Sequence, residues 1–174
     1  YNGEFRSSLL IDPPNGRMPA YTPQAQERLR LAAQLRASRG AFAGPESRPL
    51  AERCLMSFGS SSGPPMLPIL YNNHYQIVQS PGYVMILVEM VHDARIIRID
   101  ADPLPDAFRP WMGDSVGHWE GDTLVVETSR LNASQRFRNA TENFRITERF
   151  TRVSNDVMNY SFTAEDPDTF VQSF

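Results

Sequence analysis

The residues best equipped for chemistry in this chain are few, and Glu148 stands first among them. In the alternating run from Asn143 to Val153, Phe144, Ile146 and Phe150 share one face, and Glu148 falls on that same face between them. An inward carboxylate costs free energy unless it is paired or protonated. Glu148 therefore reads either as half of an ion pair with an arginine such as Arg95 or as a site carboxylate; a bulge that shifts the phase would instead turn it outward. Glu89 poses the same question, because it shares a face with Tyr83, Met85 and Leu87 near a strand end, where it would line a mouth.

The three histidines, His74, His92 and His118, each fall beside a strand end or hairpin. Imidazole titrates near neutral pH, so His92, oriented by Asp93 or Glu89, is a candidate general base, and His92, Glu89 and Glu148 form the catalytic candidates. The same three histidines are a weak candidate metal set: neutral imidazoles from separate strands can converge on Zn²⁺ or Cu²⁺, but no HxH or HExxH spacing supports it, and no metal site is assigned. Ser115 in Gly113-Asp114-Ser115-Val116-Gly117 imitates a nucleophile elbow. The imitation fails on context, since the elbow needs a helix after the serine and Gly117-His118-Trp119 continues into a hairpin. Trp111, Trp119, Tyr71, Tyr75 and Tyr83 fall around neighbouring loops and strand ends, a composition suited to an apolar or aromatic small molecule. With Arg95 and His118 added, the ligand-binding candidates are Arg95, His118, Trp119, Tyr75 and Trp111. The residues name no cofactor.

Composition narrows the chemistry further. All 17 basic residues are arginine, so a Schiff-base lysine, a lysine general base and the phosphate-binding lysine of a P-loop are excluded. A net charge of -3 argues against a dedicated nucleic-acid surface, despite five arginines between Arg136 and Arg152. The single cysteine, Cys54, allows neither an internal disulfide nor a cysteine-rich zinc site. A chain of 174 residues with 41% hydrophobic content and no long apolar run is one soluble globular domain without a membrane span. The start at Tyr1 without an apolar leader means that a signal peptide is either absent or removed.

The elements that must position these residues fall into an irregular, partly helical arm, residues 1–70, and an antiparallel β domain, residues 71–174, packed as one unit. Thr22-Pro23 is a helix start, with the hydroxyl as N-cap and proline at the first helical position, and the Ala-, Leu- and Arg-rich stretch to Ser38 predicts an amphipathic helix stopped by Gly40. A second, shorter helix is expected from Pro49 to Met56, placing Leu50 and Cys54 on one face, followed by a flexible loop from Gly59 to Pro65. From Tyr75 the period changes to two. Seven strands are expected: 75–79, 83–91, 94–100, 115–119, 123–128, 143–153 and 157–164. Short connections favour a mainly β meander closing into a lipocalin-like barrel or a sandwich, with the N-terminal helix covering an open end or an edge strand.

Three runs carry a resemblance. Tyr71 to Gln79, Glu89 to Ile97, and above all Trp111 to Thr128 with its Trp-Glu-Gly-Asp-Thr-Leu-Val-Val segment, extended by Glu148-Arg149-Phe150 and Glu165-Asp166-Pro167, resemble a large uncharacterised family of exported Gram-negative bacterial proteins. The resemblance implies a periplasmic or extracellular protein and no particular reaction. The chain departs from the family pattern at Ala101 to Pro105, where the family has Gly-Arg and a His-Leu-Pro stretch, and a site drawing on that loop is altered here. The family also tends to continue past the Asp-Pro-x-x-Phe region into a Cys-His-Glu segment, so a trimmed chain is expected.

Three functions follow as expectations. The first is a β-barrel-like protein that binds a small, partly apolar molecule. The second is an enzyme using His92 with Glu89 or Glu148 in acid/base or metal-assisted chemistry. The third is a structural protein that assembles with itself, into an oligomer or filament, through its N-terminal arm.

Overall fold

The computed structural model of the chain describes residues 7–40, 42–56, 63–135 and 137–174. Helix α1 spans Pro23–Arg39; the Thr22 side chain accepts from the Ala25 N–H, and Gly40 caps the other end with its N–H on the Arg36 carbonyl. The shorter helix expected at Pro49–Met56 does not form. Overlapping turns stand there instead, with Cys54 exposed and at φ 55°, so Leu50 and Cys54 share no helical face. The Gly59–Pro65 loop lies outside the described residues as far as Ser62. Its described end is buried rather than flexible: Pro64 and Pro65 are among the most completely enclosed side chains.

Seven strands follow, β1 Tyr75–Ser80, β2 Tyr83–Val88, β3 Ala94–Ile99, β4 Asp114–Glu120, β5 Thr123–Ser129, β6 Arg145–Arg152 and β7 Met158–Glu165, in one sheet whose spatial order is the chain order. Alternation of buried and open positions explains most of their limits. The second strand is shorter than expected and ends at Val88, because residues 89–93 form a kinked turn with Val91 and His92 at φ 52° and 58°. Neighbours pair antiparallel with one exception, across tight hairpins such as β4–β5 and across the long connection from β5 to β6 alike. β3 and β4 run parallel through Ile97 to Ile99 against Ser115 to Gly117, which corrects the expected all-antiparallel meander. The proline-rich residues 101–113 carry the chain back along the sheet, as a parallel neighbour requires. The sheet is mixed and curls into a half-barrel.

Its concave face holds two apolar clusters. Val84, Ile86, Ile97, Leu124, Val126 and Phe150 form one, against Met66, Tyr75, Ile99 and Tyr160. Phe137, Phe144, Ile146, Ala164, Phe170 and Phe174, with Leu131 and Ala140, form the other, roofed by the loop after β5 and the chain after β7. The N-terminal arm joins the body at several places, among them Leu10 against the second cluster and Met56 beside β3. The Gly63–Leu67 segment lies against the concave face, and Tyr21 and Thr22 pair with Phe170 and Thr169. Contrary to expectation α1 covers no strand: Ala25 is its one buried residue, and every residue from Arg30 to Arg39 is exposed.

Candidate functional site

Between the two apolar clusters lies a polar knot drawn from five successive strands: Arg95 on β3, Ser115 on β4, Thr128 on β5, Glu148 on β6 and Tyr160 on β7. Strict alternation puts each of these residues on the concave face, where Arg95, Ser115, Thr128 and Glu148 are buried and Tyr160 is partly so. Arg95 and Glu148 retain 1% and 0% of their side-chain exposure. The Arg95 guanidinium donates from Nη1 to Glu148 Oε1 at 3.0 Å and from Nη2 to Glu148 Oε2, making a bidentate pair. Its Nε donates to Ser115 Oγ at 3.0 Å, and Nη2 also donates to Thr128 Oγ1 at 2.8 Å. Tyr160 donates its hydroxyl to Glu148 Oε1 at 2.8 Å and accepts the Met66 N–H at 2.9 Å, which ties the N-terminal arm to the knot. Burial foremost, and then the Glu148 carboxylate, push the Tyr160 phenol far above its ordinary range.

The inward Glu148 thus finds the arginine partner expected for it. Ser115 is buried with its hydroxyl 2.8 Å from Thr128 Oγ1, one more member of the knot and no exposed nucleophile. As arranged, the knot clamps the curl; both Glu148 oxygens are occupied.

An opening leads towards this knot from the side. β4 pairs with β3 only from Ile97 onward, so the first half of β3 diverges from the turn that precedes β4. A cleft of about 420 Å³ fills the gap. Arg95 and Ser115 contribute to it, Ile96, Leu104, Trp111 and Met112 supply apolar wall, and the Arg98–Asp114 ion pair, 2.7 Å, stands beside it. Asp114 also accepts the Leu104 N–H at 2.7 Å, which fixes the proline-rich loop as one wall. Val88 N–H donates to the Asp93 carbonyl and Asp100 N–H to the Gly117 carbonyl, so odd-numbered residues of β3 direct their backbone to β2 and even-numbered ones to β4. Ala94 accordingly turns its N–H and C=O, and Ile96 its N–H, towards the cleft, while the pairing of Ile97 with Ser115 engages the Ile96 carbonyl with the Ser115 N–H. Gly113 at the turn is required: its φ is +73°, and a Cβ there would lie 2.7 Å from the Ser129 carbonyl oxygen.

The remaining sequence candidates lie apart from one another. Of the five ligand candidates, Arg95 and Trp111 share the cleft. Tyr75 packs half-buried beside the first apolar cluster, where burial raises its phenol. Trp119 lines a separate open depression of about 790 Å³ at the hairpin end of the sheet, with Gln79, Phe150 and Met158. His118 is on the convex face, 3.3 Å from Glu120, whose other oxygen accepts from Arg149 at 2.6 Å. Those bonds, with Arg149 the larger influence, hold the Glu120 carboxyl below its usual range. Among the catalytic candidates, Glu89 pairs with His74 at 2.7 Å outside the half-barrel, His92 is exposed on the kinked turn, and Glu148 is enclosed on the other face. Among the described residues, no three His, Cys, Asp or Glu side chains gather in a group able to hold a metal ion.

Sequence reasoning missed Asp114 and Asp166 as organising residues. Asp166, 2% exposed, accepts from Thr141 N and Oγ1, Asp168 N and Thr169 Oγ1, pinning the loop before β6 to the chain after β7. The signal available was the Asp-Pro pair, a turn-forming sequence whose side chain caps its own loop.

No helix of the described residues is long and apolar enough to cross a membrane. No protein-family model, no curated protein and no solved structure matches this chain. The class defined by fold and geometry is therefore a mainly β half-barrel with one N-terminal helix, a buried five-strand polar knot and a lateral cleft.

Proposed function

We propose that the chain binds a small, partly apolar molecule in the cleft between β3 and the turn before β4, as an exported protein of the Gram-negative family it resembles. The observation that carries this reading is the cleft itself. It is a concave space walled largely by Ile96, Leu104, Trp111 and Met112, with a few fixed polar groups at one side, which is the composition of small-molecule sites in general. The apolar part of the ligand packs on Trp111 and Met112. A carbonyl, amide or hydroxyl group meets the β3 backbone at Ala94 and at the Ile96 N–H. The half-barrel serves as a barrel-like scaffold, with the proline-rich loop completing the wall beside β3.

The test is isolation of the protein from its natural source, followed by organic extraction and mass spectrometry, in parallel with a Met112→Glu variant produced in the same way. A small molecule recovered near one per chain from the native protein, and at least tenfold depleted in the variant, is the expected outcome. Equal recovery from both, or none from either, overturns the assignment.

A further inference from the structure

We propose that α1 of one chain docks along the convex face of β1–β3 of a second copy, joining copies head to tail. Among the described residues both surfaces are bare, and they do not meet within one chain.

Among the described residues the helix is held only at its start. Thr22 N–H donates to the Thr169 carbonyl, and Arg28 Nη2 donates to the Asn139 carbonyl at 3.1 Å and to Thr169 Oγ1 at 2.8 Å. Beyond that turn it stands in solvent, with Leu31 and Leu35 51% and 50% exposed. A helix of 17 residues packed along so little of its length is marginal in water, because helices in proteins owe their stability chiefly to a packed face. Its exposed leucines need a surface.

The convex face of β1–β3 offers one. Register sets Val78, Met85 and Ile96 side by side across the three strands, with Leu87 and Ala94 in the row above and Tyr83 in the row below. Val78, Tyr83 and Ile96 are 39%, 51% and 51% exposed, and Met85 and Leu87 are partly so. Contiguous apolar side chains of this kind on a sheet mark an interaction surface, unlike scattered single ones. Charge matches as well. α1 carries four arginines against the single acid Glu27; Arg30 pairs with Glu27 at 2.6 Å and Arg28 is engaged at the root, which leaves Arg36 and Arg39 at the exposed end. The apolar rows are bordered at one end by Asp100 and Asp102, both exposed, and at the other by Glu89, itself paired with His74, while Arg98 is engaged by Asp114 and the Asp102 carbonyl. α1 leaves the body beside Thr169 and Asn139, at the β7 side of the sheet, whereas the receiving face belongs to the β1 side. Two different surfaces at opposite sides make a heterologous contact, which repeats into a chain of copies or closes into a ring.

Sedimentation velocity over a concentration series tests this with two variants, Leu31→Glu/Leu35→Glu on the helix and Val78→Glu/Met85→Glu on the sheet; neither alters a residue that lines the cleft. Wild-type mass is expected to rise with concentration, each variant alone to remain monomeric, and their equimolar mixture to give a discrete dimer. That dimer arises because one intact face remains to receive one intact helix. If the sheet variant does not fold by circular dichroism, Val78→Ser/Tyr83→Ser replaces it with the same expectation. A wild-type protein that stays monomeric up to several hundred micromolar overturns the proposal, as does a mixture that stays monomeric or a single variant that still dimerises.

Discussion

Arg95 and Glu148 form a bidentate ion pair although their strands, β3 and β6, are separated in the sheet by β4 and β5. Three strand spacings amount to about 14 Å along a flat sheet, too far for two side chains that both stand upright from it. The pair closes because the sheet curls, and it fastens the curl once closed. Removing either charge strands the other in a dry interior, whereas replacing both removes the charges together. Glu148→Gln and Arg95→Met are each expected to cost about 3–5 kcal/mol, and Arg95→Met/Glu148→Leu clearly less than their sum. Urea denaturation of the four proteins measures the cycle; additive losses would mean that the two side chains act independently.

Tyr160 links this pair to the arm, and its ionisation sets an alkaline limit on the fold. Burial and the Glu148 carboxylate raise its phenol in the folded chain above the unfolded value of 10.0. The folded state therefore holds the phenolic proton more tightly. The resulting stability is fully present below the unfolded value and is lost progressively as pH rises above it. Ultraviolet difference spectroscopy should show one tyrosine that ionises only as the chain unfolds, and Tyr160→Phe should abolish that step. The same variant leaves the Met66 N–H without its acceptor, so exchange at that amide should accelerate relative to the central strands.

Strand positions are readable in the sequence because each strand buries one face, and a period of two survives wherever that is true: Ile146, Glu148 and Phe150 point inward in the structure as their alternation demands. The same rule marks Glu148 as misplaced and calls for a partner such as Arg95, a bulge or a site role; the structure supplies Arg95. Strand direction is not encoded that way. Nothing in the alternation of Asp114 to Glu120 says whether it runs with β3 or against it; the deciding element is the irregular proline-rich connection, held by Asp114 to Leu104. The cleft follows from that one parallel pairing, so it was equally hidden. Leu31 and Leu35 on α1 carried a misleading signal, since an apolar stripe implies a partner without implying that the partner is in the same chain.

On the convex face, Glu120 bridges His118 and Arg149. Its carboxyl is held below the usual range, first by Arg149 and then by His118, so the contact contributes above the unfolded carboxylate value and is lost as acidification passes the lowered folded one. Glu120 should show a midpoint below that of an unpaired glutamate in a carbon-detected NMR titration, returning towards the ordinary value in Arg149→Gln. Exposure of the carboxylate and of Arg149 to water keeps the consequence for global stability small. An unmoved midpoint in the variant would assign the depression to His118.

Asp166 governs both the C-terminal seam and the root of α1. Its carboxylate accepts from Thr141 N at 2.5 Å, Thr141 Oγ1 at 3.0 Å, Asp168 N at 3.1 Å and Thr169 Oγ1 at 2.7 Å, and the same Thr169 hydroxyl accepts from Arg28 on the helix. Truncation to alanine leaves buried donors with no acceptor, each costing about 1–3 kcal/mol in general. Because the loop can relax towards water, Asp166→Ala should lose about 2–4 kcal/mol in all. The loss should also be directional: amide exchange at Thr141 and in the first turn of α1 should accelerate most, while β2 and β5, remote from the seam, keep their protection until global unfolding. Hydrogen exchange on Asp166→Ala resolves the two regions. Uniform acceleration across β2, β5 and α1 alike would show that Asp166 supports the whole domain and not the seam on which the helix is rooted.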